Sequence, residues 1–368
     1  MTEIQIGDGK IGPGYPCLIV AEVSANHHQK FEEAVEIIKA AHQAGADAVK
    51  LQTYTPDTIT INSDKEWFLV QGKDLPEDWK RKTLYELYQT AYTPWDWQPK
   101  LKKVAGELGL ILFSTPFEET AVDFLEAMNV PCFKVASYEV THIPLLKKIA
   151  RTKKPVIMSI GFATLPEIEL AVKTLRDNGT RELAILHCVT AYAESPRPED
   201  MNLATIRDIQ ERFGVVAGFS DNNAGIEIPV LAAAVGASII EKHFILSRSS
   251  GGPDSRFSIE PEELKQMVKE IRDFEKTGGI SYEEERVRQA LGRVHYGPVN
   301  QIEVNCRNYR QSVFVVSDLK KGEEFTRDNI RVVRPAFGLE PRFWDEVMGR
   351  NAARNIKRGT PLSWELVV

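Results

Sequence analysis

The sequence predicts an α/β chain in two parts, a closed (β/α)8 barrel followed by a small, mostly β C-terminal domain. Three observations lead there. Apolar runs rich in β-branched residues recur eight times with helical patterns between them, the count of a closed eight-fold barrel. The runs are almost continuously apolar, as a parallel sheet covered by helices requires. From Asn308 onward the texture changes to short strands and turns, "QSVFVVSDLKKGEEFTRDNIRVVRP" and then "NAARNIKRGTPLSWELVV".

Taken in order, the eight strands are "CLIVAEV" at 17, "AVKLQTY" at 48, "LILFSTP" at 110 and "CFKVASYE" at 132, then "PVIMSIG" at 155, "LAILHCVT" at 183, "VVAGFSD" at 215 and "SIIEKHF" at 238. The segments between them carry helix signals. "KFEEAVEIIKAAHQAGA" puts Phe31, Ala34, Val35, Ile38 and Ala41 at helical spacing and stops at Gly45. "TLPEIELAVKTLRDNG" has Thr164 as N-cap, Pro166 in the first turn and Gly179 past the end. A doubly wound open sheet is the alternative, and eight units in roughly 260 residues suit closure better.

The stretch from Thr55 to Pro94 is too long for a plain loop, so a helix of its own overhanging the barrel mouth is expected. The boundaries that follow are a barrel over 1–283, a charged, weakly patterned linker arm over 284–307 and the small domain over 308–368. A domain of about 60 residues is marginal alone and gains from docking elsewhere.

Composition narrows the function classes. A net charge of −6 and a pI near 5.8 argue against nucleic acid or an anionic membrane as partner, so an anionic ligand must be met by local cations. Cys17, Cys132, Cys188 and Cys306 form no CxxC pair and read as buried small hydrophobes. The first residues lack a signal-peptide pattern and no run reaches membrane-span length, which predicts a cytoplasmic protein.

Chemistry in such barrels gathers where strands end. Those ends carry Glu22 and Asn26, Lys50 and Gln52, Ser114 and Thr115, Lys134, Ser137 and Glu139, then Ser159, His187 and Tyr192, Ser220 to Asn222, and Glu241, Lys242 and His243. Singly, most of these could cap helices or snorkel outward. Lys50 and Lys134 are different, because a lysine between apolar neighbours must find a counter-charge or lose its proton. Two lysines with Ser and Thr hydroxyls at one mouth suit a small phosphate- or carboxylate-bearing anion. Glu22 and Glu139 add acid/base capacity, and His243 with the polar cluster at 220–222 offers oxygen and nitrogen donors that suit Mn or Mg over structural zinc.

"IVAEVSANH", "GADAVKLQTYTPDTI", "FSTPF", "FKVASYE", "GFSD" and "IEKHF" resemble, in order and spacing, the sialic acid synthase family of phosphoenolpyruvate-dependent nonulosonate synthases. "VVSDLKKGEEFTRDNIRVVRPAFGLEP" resembles the antifreeze-like SAF domain of those enzymes, and "QTYTPDTITINSDKE" with "RPAFGL" is most similar to the pseudaminic acid synthase branch. The resemblance implies a TIM barrel that condenses phosphoenolpyruvate with the open-chain aldehyde of an N-acetylated amino sugar, giving a nine-carbon 2-keto acid and phosphate by C–O cleavage. It implies phosphoenolpyruvate contacts from Lys50, Gln52, Thr115, Lys134, Ser137, Ser159 and Ser220. Glu22 would bind the sugar or shuttle its proton, Glu139 would position the attacking water, and Tyr192 and Asp254 would line the pocket. His243 would ligate a divalent metal, and Arg334 would reach the sugar's acyl group from the small domain of a partner subunit in a domain-swapped homodimer.

The chain departs from that pattern at one ligand. The family's "GLSDH" is "GFSDN" here, which puts Asn222 at a metal position usually held by His. An amide oxygen is a neutral, harder donor than imidazole, so a looser site for Mn or Mg is expected. N-acetylneuraminate or legionaminate synthase, a metal-poor non-catalytic paralogue and a Schiff-base aldolase using Lys50 or Lys134 stay open as alternatives.

Overall fold

The computed structural model describes residues 3–70, 82–190, 192, 194 and 196–368. Ala193 and Ser195 of the "AESPRPED" loop and part of the 55–94 excursion lie outside that set. Two short strands, β1 (Ile4–Ile6) and β2 (Gly9–Ile11), pair antiparallel and precede the eight barrel strands. These are β3 (Leu18–Glu22), β4 (Ala48–Thr53), β5 (Ile111–Pro116), β6 (Phe133–Val135), β7 (Val156–Ser159), β8 (Leu183–Val189), β9 (Val216–Asp221) and β10 (Ile239–His243). All pair parallel and close in the order β10-β3-β4-β5-β6-β7-β8-β9, so the barrel read from the sequence is the barrel formed.

Strand alternation divides each run between two environments. In "AVKLQT", Val49 and Leu51 join the large apolar layer between barrel and helices, along with Ile37, Ile38 and Leu101. Residues of opposite parity face the barrel interior. Its lower part is apolar, with Val20, Ala48, Phe113, Ile157, Ala184 and Val216 clustered against Ile4, Ile6 and Ile11 of the β1–β2 hairpin. That hairpin, unforeseen from the sequence, plugs the end of the barrel away from the strand C-termini, and the polar residues stack above it.

The surrounding helices use the expected signals. The helix Phe31–Gln43 is followed by Gly45 at φ 90°. The helix Leu165–Asp177 starts with a reciprocal Thr164–Glu167 capping box, the Thr164 amide donating to Glu167 at 2.7 Å. The excursion after β4 carries helices Pro56–Ile59 and Leu84–Ala91.

The arm is more ordered than its charge pattern suggests. It forms helices Glu284–Leu291 and Gln301–Cys306, and the buried Glu303 carboxylate accepts the Thr190 amide at 2.6 Å. In the small domain β11 (Ser312–Val315) pairs antiparallel with β12 (Ile330–Val333). Isolated bridges extend the β character, and Val313, Leu319, Phe325, Trp344 and Leu366 build a separate core. The domain docks on the excursion through Phe314 and Val333 against Ile61 and Phe68. Trp67 donates to the Gly359 carbonyl at 2.8 Å and Arg334 donates its amide to Ile59 at 2.8 Å. Among the described residues no helix is long and apolar enough to cross a membrane.

Candidate active site

Four ionisable side chains from β3, β4, β6 and β10 meet inside the upper barrel. Lys50 lies 2.5 Å from Glu22 and 3.7 Å from Glu241, and Lys134 lies 3.8 Å from Glu241. Contacts between β6 and β10, which are not neighbours in the sheet, are possible only for side chains pointing inward. The counter-charges expected for the two buried lysines are therefore present.

Their protons are held unequally. Burial pulls the Lys50 ammonium down, but Glu22 and Glu241 outweigh it and its pKa is raised. At Lys134 burial outweighs Glu241 and the pKa is lowered. Glu22 is raised, burial exceeding the pull of Lys50.

Hydroxyls and amides complete the pocket. Lys50 donates to Thr115 at 3.3 Å and Lys134 to Ser159 at 2.6 Å. Gln52 donates to Glu22 and to Ser24, both at 3.0 Å. Ser24 in turn bonds Asp254, so Asp254 reaches the pocket through that serine and Gln52. Ser220 donates to Glu241 at 3.0 Å. Ser137 packs against Gly161, where an added Cβ would lie 2.7 Å from the Ser137 and Thr190 hydroxyls; only glycine lets the "SIG" turn pass so close.

Above this pocket Glu139 pairs with Arg334 at 2.9 Å. Burial, more than Arg334 offsets, raises the Glu139 pKa, and its Oε2 has no hydrogen-bond partner among the described residues. The Arg334 guanidinium lies over Tyr138, Phe117 and Tyr88, 4.8, 5.3 and 5.9 Å from their ring centroids, and bonds the Tyr88 hydroxyl at 3.1 Å. Here the chain's own small domain supplies that arginine. Tyr192 packs on Phe257 at 4.9 Å, and Phe257 also meets the His243 ring at 5.0 Å.

The two candidate metal ligands stand at the ends of adjacent strands, since β9 and β10 pair Asp221 with Lys242, Asn222 follows directly after β9 and His243 closes β10. His243 is pushed well below the usual imidazole range by burial first, then by Lys50 and Lys242, so the ring is neutral, and its buried Nδ1 has no hydrogen-bond partner among the described residues. The Asn222 amide donates to the Cys188 sulfur at 3.4 Å, leaving its oxygen as donor. Among the described residues no group of three or more His, Cys, Asp and Glu is placed to hold a metal. One imidazole and one amide oxygen fit a hard ion that keeps several waters and do not fit a closed zinc-type site.

Other strand-end residues are structural. His187 points outward to the Met201 carbonyl at 2.7 Å. Asn26 ties the β3 loop to Phe244 and Ser258, Ser114 bonds Thr53, and Lys242 pairs with Asp221 at 2.6 Å on the outer face of the wall. Several site neighbours, among them Glu241, Cys188, Ser24, Tyr88, Phe117 and Tyr138, were not assigned a role from the sequence. Glu241 and Cys188 could have been found from alternation, Glu241 sharing the parity of His243 and Cys188 that of Ser220's partner position. Tyr88 comes from the excursion, and no local signal aims it at the mouth.

A parallel barrel with paired cations, hydroxyls and carboxylates at the strand ends defines an enzyme class that handles small anions inside a (β/α)8 barrel. Residues 37–282 match the NeuB family and residues 310–368 match the SAF domain. The chain belongs to the NeuB family. It is 41% identical over 348 residues to a pseudaminic acid synthase of Helicobacter pylori, covering 95% of this chain and 97% of that protein. A Campylobacter jejuni pseudaminic acid synthase is 39% identical over 346 residues, 94% of each. The crystal structure of spore coat polysaccharide biosynthesis protein SpsE from Bacillus subtilis matches with a TM-score of 0.83 at 33% identity, covering 100% of this chain and 99% of that one.

Proposed function

We propose that this protein is a pseudaminic acid synthase. It condenses phosphoenolpyruvate with 2,4-diacetamido-2,4,6-trideoxy-L-altrose to a nine-carbon 2-keto acid and phosphate. The observation that carries this reading is the pair of buried lysines, Lys50 and Lys134, bracketed by Thr115 and Ser159 within the barrel. Two cations with hydroxyl donors are what a phosphorylated carboxylate needs when taken out of water. The relatives in Helicobacter and Campylobacter favour the pseudaminate branch over neuraminate or legionaminate.

In the proposed reaction C3 of the enol attacks the aldehyde carbon, water adds at the resulting C2 cation, and the hemiketal phosphate collapses with loss of phosphate. Glu139, buried with one oxygen that has no hydrogen-bond partner among the described residues, accepts a proton from the attacking water. Glu22, held by Lys50 and Gln52, serves the aldehyde oxygen that becomes a hydroxyl. Lys50, Lys134, Thr115, Ser137, Ser159, Ser220 and Gln52 hold phosphoenolpyruvate, while Arg334, Tyr192 and Asp254 border the acceptor. Asn222 and His243 would hold Mg or Mn, which when bound polarises the acceptor carbonyl.

The proposed division is a barrel over 1–283, an arm over 284–307 and a SAF domain over 308–368, in a cytoplasmic homodimer. Exchange of small domains between two copies would keep every docking contact described above. Mixing Glu139→Gln chains with Arg334→Ala chains tests that exchange: partial recovery of activity marks it, and no recovery marks closure within one chain.

The primary test is phosphate release from phosphoenolpyruvate after chelation, with Mg or Mn restored, offering the trideoxyaltrose or N-acetylmannosamine as acceptor. Metal-dependent release with the former alone is expected. Release only with N-acetylmannosamine would move the chain to the neuraminate branch, and no release from a folded chain that binds phosphoenolpyruvate would mark a non-catalytic paralogue.

A further inference from the structure

Glu241 has no part in the condensation as proposed, yet it occupies the centre of the anion pocket. Its Oε1 takes the Ser220 hydroxyl at 3.0 Å and lies 3.7 Å from Lys50 and 3.8 Å from Lys134. The residue is 7% exposed, and its second oxygen is buried without a hydrogen-bond partner among the described residues. A buried carboxylate with one unsatisfied oxygen is costly to keep. An amide of the same shape would fill the space without that charge, so packing does not account for a glutamate here.

The donor set around Oε1 suggests what does. Two ammonium groups and a hydroxyl converging on one anionic oxygen are the surroundings a phosphate oxygen takes. We propose that Glu241 is a built-in competitor for the anion site. It holds Lys50, Lys134 and Ser220 when the pocket is free, and vies with bound phosphate for the same three donors. With Glu22 also present, the two lysines face two carboxylates, so the pocket does not carry the surplus positive charge that would trap a product dianion. Substrate retains a second anchor in its carboxylate, and phosphate after cleavage has none. Competition therefore weakens the product more than the substrate and speeds its departure. This rests on the reading of the pocket as a phosphoenolpyruvate site.

The test is calorimetric titration of inorganic phosphate, at one neutral pH, into the full chain as wild type, Glu241→Gln and Glu241→Asp, with thermal unfolding of each. Glu241→Gln is expected to bind phosphate about tenfold tighter or more, and Glu241→Asp, whose carboxylate is withdrawn by one methylene, by a smaller factor. In turnover Glu241→Gln should lower kcat and the KM for phosphoenolpyruvate together, with phosphate becoming a stronger product inhibitor. A structural role would instead lower the melting temperature and weaken binding. A folded Glu241→Gln chain that binds phosphate no tighter than wild type overturns the proposal. If that variant does not fold, unchanged or weakened binding by Glu241→Asp overturns it. A wild-type chain that binds neither phosphate nor phosphoenolpyruvate overturns the pocket reading, and this proposal with it.

Discussion

Arg334 and Glu139, 195 positions apart in the chain, form a buried ion pair at 2.9 Å. One belongs to the small domain and the other to the short 3-10 turn Ser137–Glu139 that follows β6, so the barrel mouth is closed by charge as well as by apolar docking. Burying a pair of this kind does little for net stability, and removing one partner leaves the other charge stranded. The contact therefore says more about the chemistry of Glu139 than about the strength of the fold.

Its pH consequence follows from the sign of the shift. The Glu139 carboxyl is raised above its ordinary ~4.3 because burial outweighs Arg334, and only the ionised form can take a proton. Activity should rise with pH through that raised value, placing the acid limb of kcat above the ordinary carboxylate range. Arg334→Met removes the cation that restrains the shift, so the limb should move to still higher pH. Glu139→Gln should lower kcat by about 10²-fold or more while phosphoenolpyruvate binding persists. A limb unmoved in Arg334→Met would detach Glu139 from the pH dependence.

The proposed metal position gives a second prediction. Asn222→His would replace an amide oxygen with an imidazole beside the neutral His243, and nitrogen donors favour Mn over Mg. Titration of each ion into the chelated protein should show Mn binding tightened by about tenfold or more and Mg much less affected. Equal affinities in variant and wild type would mean that position 222 does not ligate.

Lys134, whose proton burial loosens, is the amine that an imine mechanism would use. It is held by Ser159 at 2.6 Å and by the Val135 carbonyl at 3.0 Å, a cradle suited to an ammonium that binds an anion. Borohydride added during turnover should leave the protein mass unchanged. A reduced adduct on Lys134 or Lys50 would sink the synthase reading in favour of an aldolase.

Docking of the small domain depends on Phe68, fully buried against Phe314 with ring centroids 5.1 Å apart. Phe68→Ala should cost about 3 kcal/mol, seen as a lower melting temperature. It should also raise the KM for the acceptor, because Arg334 loses its seat, and leave phosphoenolpyruvate affinity nearly unchanged. A fall in phosphoenolpyruvate affinity as large as that for the acceptor would show that the excursion supports the lysines instead.

Much of the barrel was legible residue by residue. The runs at 17, 48, 110, 132, 155, 183, 215 and 238 each became a barrel strand, because an apolar β-branched segment between two capped helices has few other places to go. Lys50 and Lys134 could be singled out because a charge amid apolar neighbours demands a partner wherever the chain folds. The β1–β2 hairpin was missed: three-residue strands carry too little periodicity, and their burial comes from plugging a barrel that the local sequence does not reveal. His187 and Lys242 looked like site residues by position and turned outward, since a one-residue change of parity moves a side chain to the other face of the wall.

The sequence by itself determined the strands, the caps and the kinds of charge the pocket would hold, since these depend on neighbours within a few positions along the chain. Only the tertiary structure decided that Glu241 stands between the two lysines and that Asp254 reaches the pocket through Ser24. It likewise brought Tyr88, Phe117 and Tyr138 around Arg334. Those pairings join residues far apart in the chain, and their geometry follows from barrel closure and from the docking of a second domain, which no local stretch encodes.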